Sequence, residues 1–168
     1  LDSLLTLISN GDKQALSELY CLTSSSVYGF ALSILKNTYD AEDILQSCFI
    51  KIWDSASLYQ KGTKPMAWIL TVTKNLCYMK LRQQKNSESF DQNELRLLPS
   101  PDNTELTVES QIVLEVAFKA INDTERQIII LHAISGLKFR EISKLLNIPL
   151  ATVLSKYHRA IKKMQTAL

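Results

Sequence analysis

The sequence is poor in helix-breaking residues and in cysteine. Four glycines and four prolines occur among 168 residues, and alternating β-branched runs are scarce, which favours helices over strands. The three cysteines, Cys21, Cys48 and Cys77, are widely spaced and form no C-x-x-C pair, which argues against a disulfide framework or a zinc site. All three fall on apolar helical stripes, so we expect buried free thiols and a reducing, cytoplasmic compartment.

Long hydrophobic runs and catalytic motifs are missing as well. The most apolar segment, IIILHAI at 128–134, is far shorter than the ~20 residues of a membrane span, and the N-terminal LDSLLTLISNGD has no basic region typical of a signal peptide. His132 and His158 have no partner residues at metal-ligand spacing, and no phosphate-binding loop or nucleophile motif is present. We therefore predict no metal, no cofactor, no small-molecule substrate and no enzymatic activity.

The weak net charge of +2 hides an uneven distribution along the chain. Residues 1–82 hold eight basic and seven acidic residues, residues 83–108 hold two and five, and residues 109–168 hold nine and five. The acidic middle segment has no helical period and contains Pro99 and Pro101, which is typical of a linker. We predict an all-α protein with helical domains at 1–82 and 109–168, joined by a flexible acidic linker at 83–108.

The segment from Asp40 to Asp54, DAEDILQSCFIKIWD, has the apolar period of an amphipathic helix, with Asp40 as its expected N-cap. Its outward row consists of Glu42, Gln46 and Ile50. This row is either a solvated face with one exposed isoleucine or a surface that binds a partner. Upstream, residues 11–37 carry an apolar stripe that includes Tyr20 and fits either one long helix or two helices.

The next predicted helix begins near Pro65, after a loop that contains Gly62. Its predicted buried side is formed by Met66, Ile69, Leu70, Thr73, Leu76 and Cys77. The opposite row is formed by Thr71, Lys74, Asn75, Tyr78 and Arg82. That row is either a solvated face or a surface for one nucleic acid strand, since cations hold phosphates and aromatic rings stack on unpaired bases.

The C-terminal stretch KFREISKLLNIPLATVLSKYHRAIKK predicts a helix-turn-helix. A preceding helix is expected to start at a capping box of Thr124 and Gln127 and to end at Gly136. A second helix spans about Phe139–Leu146, and Asn147 with Pro149 supplies the turn. A third helix starts near Ala151 and is expected to place its N-terminal end in the major groove of DNA, with Val153 plugging the angle between the helices.

This stretch carries seven Lys or Arg residues and one Glu, which suits a phosphate-neutralising surface better than a merely solvated face. Leu154 is unusual there and would contact a thymine methyl, a partner protein or the core. The candidate DNA-binding residues of this surface are Lys138, Arg140, Thr152, Leu154, Ser155, Lys156, His158, Arg159, Lys162 and Lys163. Few of them can donate to base edges, so we expect modest intrinsic affinity.

Three stretches together resemble the extracytoplasmic-function (ECF) group of bacterial RNA polymerase sigma factors. They are DAEDILQSCFIKIW, GTKPMAWILTVTKNLC and TERQIIILHAISGLKFREISKLLNIPLATVLSKYHRAIKKM, and they cover nearly the whole chain in the expected order. The resemblance implies that a region 2-like domain docks on the clamp helices of the polymerase largest subunit and melts the minus-10 element. A region 4-like domain would read the minus-35 element and touch the flap, and the acidic linker would thread the RNA channel.

The resemblance also implies roles for particular residues. The polymerase-docking helix would use Asp40, Glu42, Asp43, Gln46 and Trp53. We add Ile50 to this set, because it lies in the same outward row as Glu42 and Gln46. Minus-10 DNA would be bound by the loop Tyr59–Met66, including Tyr59, Lys61 and Lys64, and by Lys74, Asn75, Tyr78 and Arg82. The minus-35 reader would include Arg140, Thr152, Ser155, Lys156 and Arg159.

Several positions depart from the family pattern. Ser47 stands where many members have Glu, Asn147 replaces a usual Gly, Leu154 replaces a usual Lys or Arg, and the GTKPMAW loop is about one residue longer than usual.

The leading hypothesis is a dissociable initiation factor held inactive by an anti-sigma protein, often membrane-anchored in this group. The alternative is a free-standing helix-turn-helix regulator that binds duplex DNA without polymerase. The row of Lys74, Asn75 and Tyr78 favours the first hypothesis, because it suits unpaired DNA.

Overall fold

The computed structural model describes residues 1–86 and 116–168, and in these ranges the secondary structure is helical with no strand. The prediction of an all-α protein is confirmed. The chain divides into two compact units, Leu1–Leu95 and Arg96–Leu168. The predicted acidic linker at 83–108 lies almost entirely outside the described residues.

The first unit is a bundle of four α-helices in its described part. They are α1 (Asp2–Ser9), α2 (Lys13–Leu35), α3 (Thr38–Ser55) and α4 (Pro65–Asn86), with a short 3-10 turn at Ala56–Leu58. Helix α2 packs against α1, α3 and α4, and α3 packs against α4. Pro65 is the first residue of α4, as predicted. Helix α1 was not predicted, although Leu4, Leu5 and Ile8 bury one of its faces.

The open question about residues 11–37 is resolved as one long helix. Asp12 caps its start, because the carboxylate accepts from the backbone N–H groups of Gln14 and Ala15. Thr23 and Ser26 are buried inside it, and the Thr23 hydroxyl donates to the Leu19 carbonyl at 2.7 Å. This bond satisfies the hydroxyl within the helix, so the polar run does not break it.

Several local predictions for the first unit were wrong. The N-cap of α3 is Asn37, whose side chain accepts from the Asp40 N–H at 3.0 Å, so Asp40 lies inside the helix. Cys21 and Tyr20 are exposed, because they lie at the margin of the packed face of α2. There the Tyr20 ring contacts Phe49 of α3, with 4.9 Å between the ring centroids. Met66 and Leu76 are only partly buried, because Met66 lies in the first turn of α4 and Leu76 lines an open groove between α3 and α4.

The second unit contains three helical segments after a helical stretch at 116–119. They are α5 (Asp123–Ile129), continued as a π-helix at Ile130–Ile134, then α6 (Phe139–Leu146) and α7 (Leu150–Ala167). Their packing buries Ile128, Leu131, Ile142, Val153 and Ala160 completely. Helix α6 has the predicted bounds, and α7 begins one residue before the predicted start.

The caps of α5 are partly as predicted. The capping box consists of Asn122 and Glu125 rather than Thr124 and Gln127, because the helix starts at Asp123 and brings the Asn122 side chain to the Glu125 N–H at 2.9 Å. Gly136 follows the π-helix with φ +69°, the left-handed conformation expected of a residue that ends a helix. None of the helices in the two described ranges is long and apolar enough to cross a membrane.

Candidate partner-docking and nucleic-acid surfaces

Helix α3 presents a candidate partner-docking surface built around one exposed isoleucine. Glu42, Gln46 and Ile50 lie one turn apart on the exposed side of α3, as predicted, and Ile50 is 64% exposed. The opposite side of the helix is buried in the bundle. The apolar residues of α3 recur with the helical period and face the bundle. Residues spaced four apart on the other side, Glu42, Gln46 and Ile50, therefore face outward.

Ile50 stands between two grooves. The groove between α3 and α4 has a volume of about 340 Å³ and includes Ser47 and the 48% exposed Met79 in its lining. The groove between α2 and α3 has a volume of about 400 Å³ and is lined in part by Leu16 and Trp53. An apolar side chain flanked by two grooves and rimmed by polar groups is typical of a protein interaction surface.

Two of the predicted docking carboxylates bind a lysine of the same domain. The Lys80 ammonium of α4 lies 2.8 Å from Asp40 and 2.9 Å from Asp43, and Gln84 donates to Asp40 at 2.8 Å. Burial acts to lower the pKa of Lys80, but the hydrogen bonds that the ammonium donates to both carboxylates outweigh it, so the pKa is raised. No local pattern signalled this contact, because the partners lie about 40 residues apart on different helices.

Helix α4 presents the predicted row of cationic and aromatic residues. Asn75, Tyr78 and Arg82 are exposed, and Lys74 is half-buried. The Lys74 ammonium lies 5.9 Å from the Tyr78 ring centroid, and Arg82 donates from Nε to the Tyr78 carbonyl at 3.3 Å. The row therefore combines a ring face with neighbouring cations, which is the chemistry that binds a single strand.

The loop Tyr59–Lys64 precedes α4 and carries two exposed cations, Lys61 and Lys64. Tyr59 is half-buried, with its ring centroid 5.4 Å from that of Trp68. Its hydroxyl donates to the Asp2 carboxylate, which also accepts from the Gly62 N–H at 3.3 Å. Sequence reasoning missed Asp2, because a single acidic residue at the start of an unpredicted helix carries no local signal.

These contacts shift the pKa of the Asp2 carboxyl and that of the Tyr59 phenol. The hydrogen bond from Tyr59 is the largest influence on Asp2 and lowers the pKa of that carboxyl. Burial raises the pKa of the Tyr59 phenol, and the neighbouring Asp2 raises it further. Asp2 is therefore an ionised acceptor and Tyr59 a protonated donor at neutral pH.

The second unit contains the predicted helix-turn-helix in α6 and α7. Asn147 adopts the left-handed conformation with φ +55°, and Pro149 precedes the first residue of α7. The Ser143 hydroxyl donates across the turn to the Ile148 carbonyl at 2.7 Å, and Val153 is fully buried. The predicted turn is thus confirmed, and Val153 is buried as its predicted role requires.

The predicted DNA-facing residues fall into two groups by exposure. Those that are exposed are Lys138, Arg140, Ser155, His158, Arg159, Lys162 and Lys163, and those that are half-buried are Thr152, Leu154 and Lys156. Lys163 is bound within the unit, because its ammonium lies 2.9 and 3.0 Å from the two carboxylate oxygens of Glu125. The other exposed cations give this unit a basic surface along α6 and α7.

The fold and these surfaces define a class of protein. A helical bundle with an exposed apolar docking residue and a cationic aromatic row, together with a basic helix-turn-helix unit, is the architecture of a DNA-binding protein that works with a protein partner. Comparison with known families gives the same class. The Sigma-70 region 2 family model matches residues 20–87, and the Sigma-70 region 4 model matches residues 113–164.

Individual relatives cover the chain almost completely. The chain is 28% identical to the ECF RNA polymerase sigma factor SigK of Mycobacterium bovis, over 100% of this chain and 93% of SigK. It is 25% identical to the RNA polymerase sigma factor CarQ of Myxococcus xanthus, over 95% of this chain and 92% of CarQ. The chain belongs to the ECF group of bacterial RNA polymerase sigma factors.

Two solved structures share the fold. The sigma factor RpoE in complex with the anti-sigma factor NepR from Bartonella quintana matches with a TM-score of 0.70 and 21% identity, over 90% of this chain and 94% of that chain. CnrH in complex with the cytosolic domain of CnrY matches with a TM-score of 0.65 and 18% identity, over 98% of this chain and 94% of that chain.

Proposed function

We propose that this sigma factor binds core RNA polymerase through the Ile50 surface of α3 and directs initiation at promoters read by both units. It acts in the cytoplasm without catalysis of its own. The observation that carries the proposal is Ile50, which is 64% exposed between two grooves on the helix that the family uses for docking. A polymerase side chain that fills either groove would cover this apolar surface.

We assign the DNA contacts to two surfaces. The row of Lys74, Asn75, Tyr78 and Arg82, with Lys61 and Lys64 of the preceding loop, binds the separated strand of the minus-10 element. The basic surface of α6 and α7 binds the minus-35 element, with the exposed end of α7 in the major groove. The domain bounds that this assignment uses are 1–82 and 109–168, with 83–108 as the connection.

We further propose that an anti-sigma protein controls the chain, and that it is anchored in a membrane. RpoE was solved with the anti-sigma factor NepR and CnrH with the cytosolic domain of CnrY, and both RpoE and CnrH share the fold of this chain. An anti-sigma protein that covers Ile50 and its grooves would compete directly with polymerase for the same apolar surface.

The test is a reconstituted transcription reaction with core polymerase from the source bacterium. Promoters are first selected from a randomised DNA library with the chain and core together, and transcripts from the selected DNA are then measured with and without the chain. We expect transcription to depend on both proteins. The proposal fails if no promoter is recovered, and duplex binding by the chain alone would favour the free-standing regulator.

An Arg159→Ala variant tests the minus-35 assignment in the same reaction. Arg159 is exposed on α7, so its removal should weaken promoter binding by ~1 kcal/mol or more through one lost DNA contact. Thr166→Ala is the matched control on the same helix, because Thr166 lies near its end outside the proposed DNA surface. Equal promoter binding by the two variants would contradict the placement of the reading helix.

A further inference from the structure

The loop proposed to capture the minus-10 strand is held by a residue of α1, far from the loop in sequence. Asp2, in the first turn of α1, accepts through one carboxylate oxygen, Oδ1, from both the Tyr59 hydroxyl and the Gly62 N–H. The two donors lie at the start and in the middle of the loop Tyr59–Lys64. One oxygen atom therefore joins two loop residues that are three positions apart, and it belongs to a residue about 60 positions away in sequence.

The rest of the loop is arranged around this contact. The Tyr59 ring packs on Trp68 of α4 at 5.4 Å, so the ring and the hydroxyl are fixed from two directions. Thr63 donates from its N–H and its hydroxyl to the Gln60 carbonyl, at 3.2 and 2.7 Å. Gly62 has φ +85° and a Cβ there would meet nothing within 4 Å, so glycine is needed for the backbone direction and not for space.

The negative charge of Asp2 indicates that its role is to hold the loop and not to attract DNA. A carboxylate close enough to Lys61 to interact with its charge also repels DNA phosphates, which is unfavourable for a surface that binds DNA by charge alone. Its hydrogen bonds, in contrast, present the Lys61 and Lys64 side of the loop in one conformation. Holding a binding loop in one conformation lowers the entropy lost when the strand binds.

We propose that Asp2 is a positioning residue for promoter opening, which sets the conformation of the loop Tyr59–Lys64 through Tyr59 and Gly62 and does not contact DNA itself. This inference rests on the proposed function, since it assigns the loop to the minus-10 strand. Asp2 acts as a hydrogen-bond acceptor, and its negative charge is not required.

The chain offers variants that separate these roles. Asp2→Ala removes the acceptor, and Asp2→Asn keeps an acceptor oxygen without the charge. Tyr59→Phe keeps the ring on Trp68 but removes the hydroxyl, which donates to Asp2 and also to the Thr63 carbonyl at 3.2 Å. The experiment uses core polymerase, the full chain and a promoter selected with the wild-type chain. Permanganate reactivity of minus-10 thymines reports strand opening, and core affinity and thermal unfolding are measured on the same samples.

We expect Asp2→Ala and Tyr59→Phe to slow opening by about threefold to tenfold, the range of one lost hydrogen bond, with core affinity unchanged at a temperature where each variant stays folded. Asp2→Asn should stay near the wild-type rate. The double variant Asp2→Ala, Tyr59→Phe should lose less than the sum of the two single losses, because the bond between Asp2 and Tyr59 is counted in both. Normal opening by Asp2→Ala would overturn the proposal. So would additive losses in the double variant, or a loss that only follows core affinity or unfolding temperature.

Hydrogen exchange separates this inference from the proposed function. In the free chain, the Gly62 amide should exchange faster in Asp2→Ala than in the wild type or in Asp2→Asn. If the selection recovers no promoter while Gly62 exchange changes in this way, the proposed function fails and the structural role of Asp2 stands. If Gly62 exchange is the same in all three proteins, Asp2 does not position the loop.

Discussion

The ammonium of Lys163 in α7 contacts both carboxylate oxygens of Glu125, which is 1% exposed at the start of α5. Glu125 also accepts from the Asn122 N–H at 3.0 Å and so completes the capping box. One carboxylate therefore caps α5 and anchors the last turns of the proposed DNA-reading helix. Among the basic residues of α7, Lys163 therefore contacts a buried carboxylate, whereas Arg159 and Lys162 are exposed.

Lys163→Ala should lower the stability of the second unit by about 1–3 kcal/mol, because the buried Glu125 loses a charged partner. Lys163 is itself 45% exposed, which keeps the loss below that of a fully buried pair. Hydrogen exchange of α5 and α7 amides in the full chain measures it. The matched control is Lys162→Ala, whose exposed side chain should change stability by less than ~0.5 kcal/mol.

The two lysines should also differ in their effect on DNA binding. Lys162→Ala should reduce the salt dependence of promoter binding by about one phosphate contact, and Lys163→Ala by less, because Glu125 already offsets the charge of Lys163. If both variants behave alike in stability and in salt dependence, the ion pair with Glu125 does not distinguish them.

The second unit should lose stability in acid through Glu125. Burial alone would raise the pKa of this carboxyl, but the Asn122 N–H and Lys163 outweigh it and lower the pKa below the ordinary value of 4.5. The unfolded chain then binds more protons than the folded one, so the contribution is present above pH 4.5 and is lost as the pH falls through the folded value. Glu125→Gln should be less stable at neutral pH and should show a flatter acid dependence below 4.5.

The measurement is urea unfolding of the full chain between pH 3 and pH 7, followed at α5 and α7 amides by NMR. Glu18→Gln is a suitable control, because it makes the same chemical change at an exposed position on α2. An unchanged acid dependence in Glu125→Gln would show that other carboxyl groups control the acid sensitivity.

Only one of the three thiols should react quickly in the folded protein. Cys21 is exposed, whereas burial raises the pKa of Cys48 to about 11 and that of Cys77 to about 12, and the thiolate is the reactive form. A disulfide reagent at pH 8 should therefore modify one thiol at once and the other two only after denaturation. Cys21→Ser should remove the fast phase, and a fast phase that survives would reveal opening between α3 and α4.

Ile50→Lys should weaken binding to core polymerase by about tenfold or more, which corresponds to ~1.4 kcal/mol, because it places a charge in the proposed apolar contact. The variant should fold normally, since Ile50 is 64% exposed. Leu22→Lys is the matched control, with an equally exposed leucine on α2, at 60%. Fluorescence titration with labelled chain measures both affinities, and equal binding by the two variants would contradict the docking surface.

Local sequence signals predicted most of the second unit. The bounds of α6 and the start of α7 follow from the apolar period and from Asn147 and Pro149, because a left-handed residue and a proline each end a helix locally. The capping box was misplaced by two residues, since Thr124 and Asn122 are both good caps and only the packing of Ile128 and Leu131 fixes where the helix begins.

In the first unit, local sequence signals predicted which helix rows are exposed. They did not predict how far neighbouring helices cover a stripe, or that Asp2 contacts the loop. The rows containing Ile50 and Tyr78 were predicted as exposed, because a helical period determines which residues share a face. The exposure of Cys21 was missed, since an apolar stripe does not tell how much of it the neighbouring helices cover. Asp2 was missed for a different reason, because α1 is short and its partners lie in a distant loop.

Short-range patterns along the chain were enough to define most of the helices, the helix-turn-helix, the uneven charge and the rows that face solvent, because each depends on residues within a few turns of one another. The pairing of charged groups and the outside support of the loop before α4 emerged only from the packed fold. Lys80 with Asp40, Lys163 with Glu125 and Asp2 with Tyr59 each join residues far apart in the chain, on separate elements. Such contacts form only when whole helices pack, and their distances depend on packing that no local pattern encodes.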